Sequence, residues 1–115
     1  MALFVNSGSV VIGQTTSNAI FLNENVTPVA ITTGSDITAT TLTFLVSNDG
    51  VNYNSLYDDT STEVSITVTS AARSYRLNPL NFWPFNSLKV REGTSASAVA
   101  QKTSNAPSKL VAKTL

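Results

Sequence analysis

Asp58 and Asp59 are adjacent carboxylates, with Glu63 nearby. A glycosidase-type acid–base pair needs two carboxylates facing each other across a cleft, one with a raised pKa. Adjacent residues in extended backbone point to opposite faces, so Asp58 and Asp59 are poorly arranged for that work. A solvated turn is the better reading. Asn48-Asp49-Gly50 offers oxygens to a cation, but a calcium loop needs several carboxylates or carbonyls converging on one hard ion. Only Asp49 is charged there, so the segment reads as a tight turn. A metal held jointly by Asp49, Asp58 and Asp59 is the minor alternative. Histidine and cysteine are both absent, which excludes Ser–His and Cys–His nucleophile pairs and Cys/His zinc sites. Gly13, Gly34, Gly50 and Gly93 are isolated, so no phosphate-cradling loop is present. No catalytic residue, cofactor site or metal ligand set is expected, and the chain is read as a non-enzyme.

The aromatic residues suggest contact instead. Phe82, Trp83 and Phe85 cluster around Pro79 and Pro84. Such a platform can stack on sugar rings or anchor a protein interface. The competing structural role is a plug for the open end of a sandwich, expected for at least one of the two phenylalanines. Trp83 is the residue expected to stay exposed. Trp83 or Tyr57, exposed beside polar groups such as Asn52, Asn54 and Asp58, would suit a carbohydrate. The candidate interaction surface comprises Leu3, Phe4, Val5, Tyr57, Phe82, Trp83 and Phe85.

These side chains must be positioned by strands. The chain has 115 residues, enough for one domain and one core. Charged residues make up only 12%, against roughly 25% in average domains, so neutral Thr, Ser and Asn carry much of the polarity. A surface with few charges to desolvate is compatible with close packing against other proteins. Seven basic residues balance seven acidic ones. The basic excess of a nucleic-acid binder is missing. No run approaches the ~20 apolar residues of a membrane helix, and the N-terminus lacks a signal-peptide pattern. Neither nucleic acid nor membrane is an expected partner, and synthesis in a cytoplasm is expected.

Period-two alternation dominates. In residues 39–47, Leu42, Phe44 and Val46 form an apolar face opposite Thr41 and Thr43, with Leu45 as the exception. The return strand is predicted over 51–57. Val64, Ile66 and Val68 alternate over 63–69, and Leu88 and Val90 face the core over 87–91. Further strands are predicted at 9–12, 18–22, 29–32, 74–77, 99–101 and 110–115. The expected fold is all-β: an antiparallel sandwich or jelly-roll-like barrel of about 8–10 short strands. One domain spans 1–115, with residues 1–13 read as an extended N-terminal arm able to add a strand to a neighbour.

The stretch 42–101 combines Phe44-x-Val46-Ser47-x-Asp49-Gly50-x-x-Tyr53-x-x-Leu56-Tyr57-Asp58 with Ser65-Ile66-Thr67-Val68. It continues with Leu77-x-Pro79-x-x-Phe82 and Leu88-Lys89-Val90-Arg91-x-Gly93-Thr94-x-Ala96. This set resembles small virion structural proteins of tailed bacteriophages. The hairpin motif also recurs in galactose-binding-like β-sandwich modules. The phage resemblance implies a capsid decoration, or cement, protein that binds the outside of the shell, with the major capsid protein as partner and a homotrimer as its own state. It implies location on the capsid exterior of the virion. It carries over no binding residue, because decoration contacts are not tied to these motifs. The alternatives are a carbohydrate-binding module and a tail, neck or head-fibre component.

Overall fold

The computed structural model describes residues 3–22, 26–102 and 104–114. Among them the elements are β1 (Leu3–Val10), β2 (Ile20–Phe21), β3 (Val26–Thr33), β4 (Thr41–Ser47), β5 (Asn54–Ser55), β6 (Ser65–Thr67), β7 (Arg73–Arg76), a 3-10 turn (Pro79–Asn81), β8 (Ser87–Glu92) and β9 (Ala106–Thr114). Two antiparallel sheets pack face to face. The first has the order β1-β9-β3-β7, and the second β2-β8-β4-β5, with β6 also paired to β4. The fold is the expected β-sandwich.

Alternation explains the core. Leu42, Phe44 and Val46 are buried, and across the ladder Phe44 faces Val90 and Val46 faces Leu88. Ile31 of β3 and Leu110 of β9 close the core from the other sheet. Burying each such side chain is worth about 1.5–3 kcal/mol, so this apolar layer is the main source of stability.

Local readings change at residues 3–10, 51–57 and 99–101. Residues 3–10 are not a free arm: β1 pairs with β9 along its whole length, from Leu3 opposite Lys113 to Val10 opposite Ala106. Its outer edge is also engaged, since the Ser9 N–H donates to Asn18 Oδ1 and Asn6 Nδ2 donates to the Phe21 carbonyl. Gly8 lies against Ile20, where an added Cβ would come within 2.8 Å of Cδ1. The predicted strand at 51–57 shrinks to β5, because the Asp49 carboxylate captures the Val51 and Asn52 amides and holds the chain in a loop. Pro28 is inside β3, at the register shift between Pro28 and Ala30, where a missing N–H breaks no regular ladder.

The 99–101 strand is absent too. Gln101 is instead buried, with Oε1 accepting from the Thr38 N–H and Nε2 donating to the Asp36 and Ser104 carbonyls.

Candidate functional site

The segment from Asn78 to Phe85 forms a rigid aromatic turn. Asn78 caps it, with Oδ1 accepting from the Leu80 N–H at 3.1 Å. The Pro79 carbonyl accepts from the Phe82 and Trp83 amides and from the buried Thr27 hydroxyl, which ties the turn to β3. Phe82 is driven inward and meets Phe44 edge-on, with ring centroids 5.1 Å apart. With Phe82 inside, Leu80 and Trp83 are left outside, 71% and 65% exposed.

Beside this turn lie two open depressions, of about 440 and 420 Å³. Leu56, Tyr57 and Phe85 line both, so Tyr57 and Phe85 form the ridge between them. The first depression adds the hairpin residues Asn48, Asp49, Asn52 and Asn54. The second adds Asp58, Asp59, Asn78, Leu80, Asn81 and Pro84.

The hairpin is held by its own polar groups. Asp49 Oδ1 accepts from the Ser47 hydroxyl and the Val51 and Asn52 amides, and Oδ2 accepts from Asn52 Nδ2. The backbone donation from Asn52 and Val51 holds the Asp49 carboxyl well below the usual carboxylate range. Gly50 adopts φ +76°, the left-handed conformation this turn requires. Tyr53 fastens the returning chain to the sheet: its hydroxyl bonds to Ser87 Oγ, and Lys89 Nζ sits 4.5 Å from its ring centroid.

The Tyr57 side of the ridge is braced from behind. Arg91 donates from Nε to Thr43 Oγ1 and from Nη2 to Ser55 Oγ and Glu63 Oε2, the last at 2.7 Å. The guanidinium thereby joins β4, β5 and the strip at Glu63, which bridges to Tyr57. The Tyr57 hydroxyl reaches Ser95 Oγ at 3.1 Å.

These contacts assign the carboxylates structural work. Asp58 Oδ1 accepts from the Thr60 hydroxyl and the Thr60 and Thr62 amides, which lowers its pKa, the Thr60 hydroxyl contributing most. Glu63 is paired with Arg91 and accepts from the Ser95 amide. Asp58 and Asp59 therefore form the solvated turn read from their adjacency. Among the described residues no three His, Cys, Asp or Glu side chains converge on a common point.

The proposed surface residues separate into groups. Tyr57 and Phe85 come together on the ridge. Trp83 is exposed on the neighbouring turn, as expected. Phe82 is a correction: it is 1% exposed and belongs to the core, because the capped turn points it at Phe44. Val5 is exposed on β1 and lines neither depression. The side chains of Leu3 and Phe4 lie outside the described residues. Sequence reasoning missed the Arg91 brace, and it missed Leu80, whose exposure follows from the direction of the cap.

No family model and no curated protein matches the chain. A solved structure of a Bacillus endospore appendage, described as a novel family of disulfide-linked pili, is similar at a TM-score of 0.43 and 18% identity, over 99% of this chain and 88% of that one. No helix among the described residues is long and apolar enough to cross a membrane.

Proposed function

We propose that the chain is a structural virion protein of a tailed phage, a capsid decoration protein that docks on the shell exterior as a trimer and stabilises it. The carrying observation is the capped turn that presents Leu80 and Trp83 outward while Phe82 anchors it from inside. A backbone turn fixed by its own hydrogen bonds before binding has less entropy to lose on docking, and an exposed aromatic on such a turn suits an interface hot spot. The low share of charged residues and the motif set over 42–101 support the same reading. In this role the protein performs no catalysis and works by mass action. It binds the assembled shell and not its free subunits, so each bound copy shifts the balance toward the shell.

The test is co-sedimentation of the full chain with purified expanded capsids, alongside light scattering for its mass. Saturable binding that Trp83→Ala and Leu80→Ser weaken by about tenfold supports the proposal. Absence of binding to capsids, or binding that both variants leave untouched, overturns it.

A further inference from the structure

The depression beside the hairpin has a chemistry distinct from that of the exposed turn. Its volume, about 440 Å³, falls in the range of small-ligand sites. Apolar surface comes from Leu56, Tyr57 and Phe85, with Tyr57 half exposed. Polar groups come from the side-chain amides of Asn48, Asn52 and Asn54. Among the described residues the Asn48 and Asn54 amides have no hydrogen-bond partner in the molecule, so two donors and an acceptor on each are free for a ligand.

Charge narrows the ligand class. No lysine or arginine lines either depression, so there is nothing to attract a phosphate, sulfate or carboxylate. Asp49 is the single ionised group in the first depression, and both its oxygens are taken up by the hairpin. It is therefore a weak attractor for a cation. What remains is aromatic surface from Tyr57 and Phe85 bordered by the amides of Asn48 and Asn54. That combination matches a pyranose, whose C–H face packs on an aromatic ring while its hydroxyls exchange hydrogen bonds with amide groups.

We propose that this depression is a binding site for neutral glycans, with Tyr57 as the stacking platform and Asn48, Asn52 and Asn54 as the hydroxyl-binding groups. The second depression continues the site across the Tyr57–Phe85 ridge, where Asn78 and Asn81 supply further amides and Asp58 and Asp59 disfavour acidic sugars. The inference rests on the geometry of the groove and not on capsid docking, so either reading can fail alone.

The experiment is a glycan array probed with the full chain, followed by titration of the 15N-labelled chain with maltotriose, cellotriose, chitotriose, lactose and sialyllactose. The expected result is binding of at least one neutral oligosaccharide, with shifts at the Asn48, Asn52 and Asn54 side-chain amides. Tyr57→Ala should weaken it about tenfold, equivalent to about 1.4 kcal/mol. Asn54→Ala, at an exposed position with no internal bond to lose, should weaken it about fivefold with an unchanged spectrum elsewhere. Trp83→Ala should leave it unaltered. The inference is overturned if no neutral glycan binds at concentrations up to about 10 mM. It is equally overturned if shifts map elsewhere, if sialyllactose binds as well as lactose, or if only a protein partner occupies the groove.

Discussion

The two ends of β4 are closed by opposite means. At the Leu42 end, opposite Glu92, the lid is polar. Glu92 Oε1 accepts from the Thr38 and Ala39 amides at 2.9 Å, and Gln101 shares the Thr38 amide. Toward the Ser47 end, where the Asn86 N–H donates to the Ser47 carbonyl, the preceding turn sends the apolar Phe82 ring inward against Phe44 at the middle of the strand. A buried polar group is costly unless it is hydrogen-bonded, so the first lid needs partners from several loop segments and commits them. An apolar plug needs only contact. Its turn therefore keeps its neighbouring side chains free, and Leu80 and Trp83 face outward. The aromatic end leaves Leu80 and Trp83 uncovered even though the backbone of its turn is hydrogen-bonded through Asn78, Pro79 and Phe82.

The comparison can be broken most directly at Phe82. Phe82→Ala removes a fully buried ring and should cost about 4 kcal/mol in denaturant unfolding. A cost near zero would mean that the ring is not the closure. Glu92→Ala comes next, with an expected loss of about 3 kcal/mol, from an orphaned buried amide plus a cavity. Glu92→Gln retains the accepting oxygen and should recover part of that loss. Its other oxygen, Oε2, is buried and has no partner among the described residues, so the replacing amide nitrogen breaks no bond but finds no acceptor, which limits the recovery. Equal losses in the two variants would show that burial of the side chain, and not its acceptance from Thr38 and Ala39, holds the polar end.

The two ends were not equally legible in the sequence. Period-two alternation identified Leu42, Phe44, Val46, Leu88 and Val90 because a sheet buried on one face leaves that pattern. The same alternation continues to Glu92, which places a carboxylate on the core face; that was the available signal for the polar lid. Gln101 left no such trace, since its partners are backbone groups, those of Asp36 and Thr38 far away in the chain and that of Ser104 in the next loop. β1 was obscured because Asn6, Ser7, Gly8 and Ser9 lack the hydrophobic run that marks a strand, and the pairing with β9 is supplied by the other terminus. The aromatic cluster was visible as composition. Which ring goes inward depends on the Asn78 cap and the Thr27–Pro79 bond, long-range geometry that no local pattern records.

Asp49 sharpens the comparison from the solvent side. Its folded-state pKa is depressed by the hairpin's hydrogen bonds, so the carboxylate contributes stability that is fully present above its ordinary pKa. That contribution falls away as pH drops below about 4 and toward the folded value. Asp49→Asn should lower stability at pH 7 and flatten its decline between about pH 4 and pH 2, read by denaturant midpoints. An identical acid limb in the variant would place the titration at another carboxylate.

The smallest effect is expected at Trp83. An exposed side chain outside any lid should change stability by no more than about 0.5 kcal/mol when it is truncated. Trp83→Ala is thus the mirror of Phe82→Ala: adjacent residues on one turn, one needed by the fold and the other left exposed. Fluorescence adds an independent reading, because Trp83 is the chain's sole tryptophan. In the free protein its emission should be that of a solvent-exposed indole, and it should shift to the blue when a partner covers the turn. A large loss of stability in Trp83→Ala, or emission already blue-shifted in the free chain, would mean that the ring is packed inside the molecule. Inward and outward roles would then no longer divide between neighbouring residues, and the aromatic end would be a lid like the polar one.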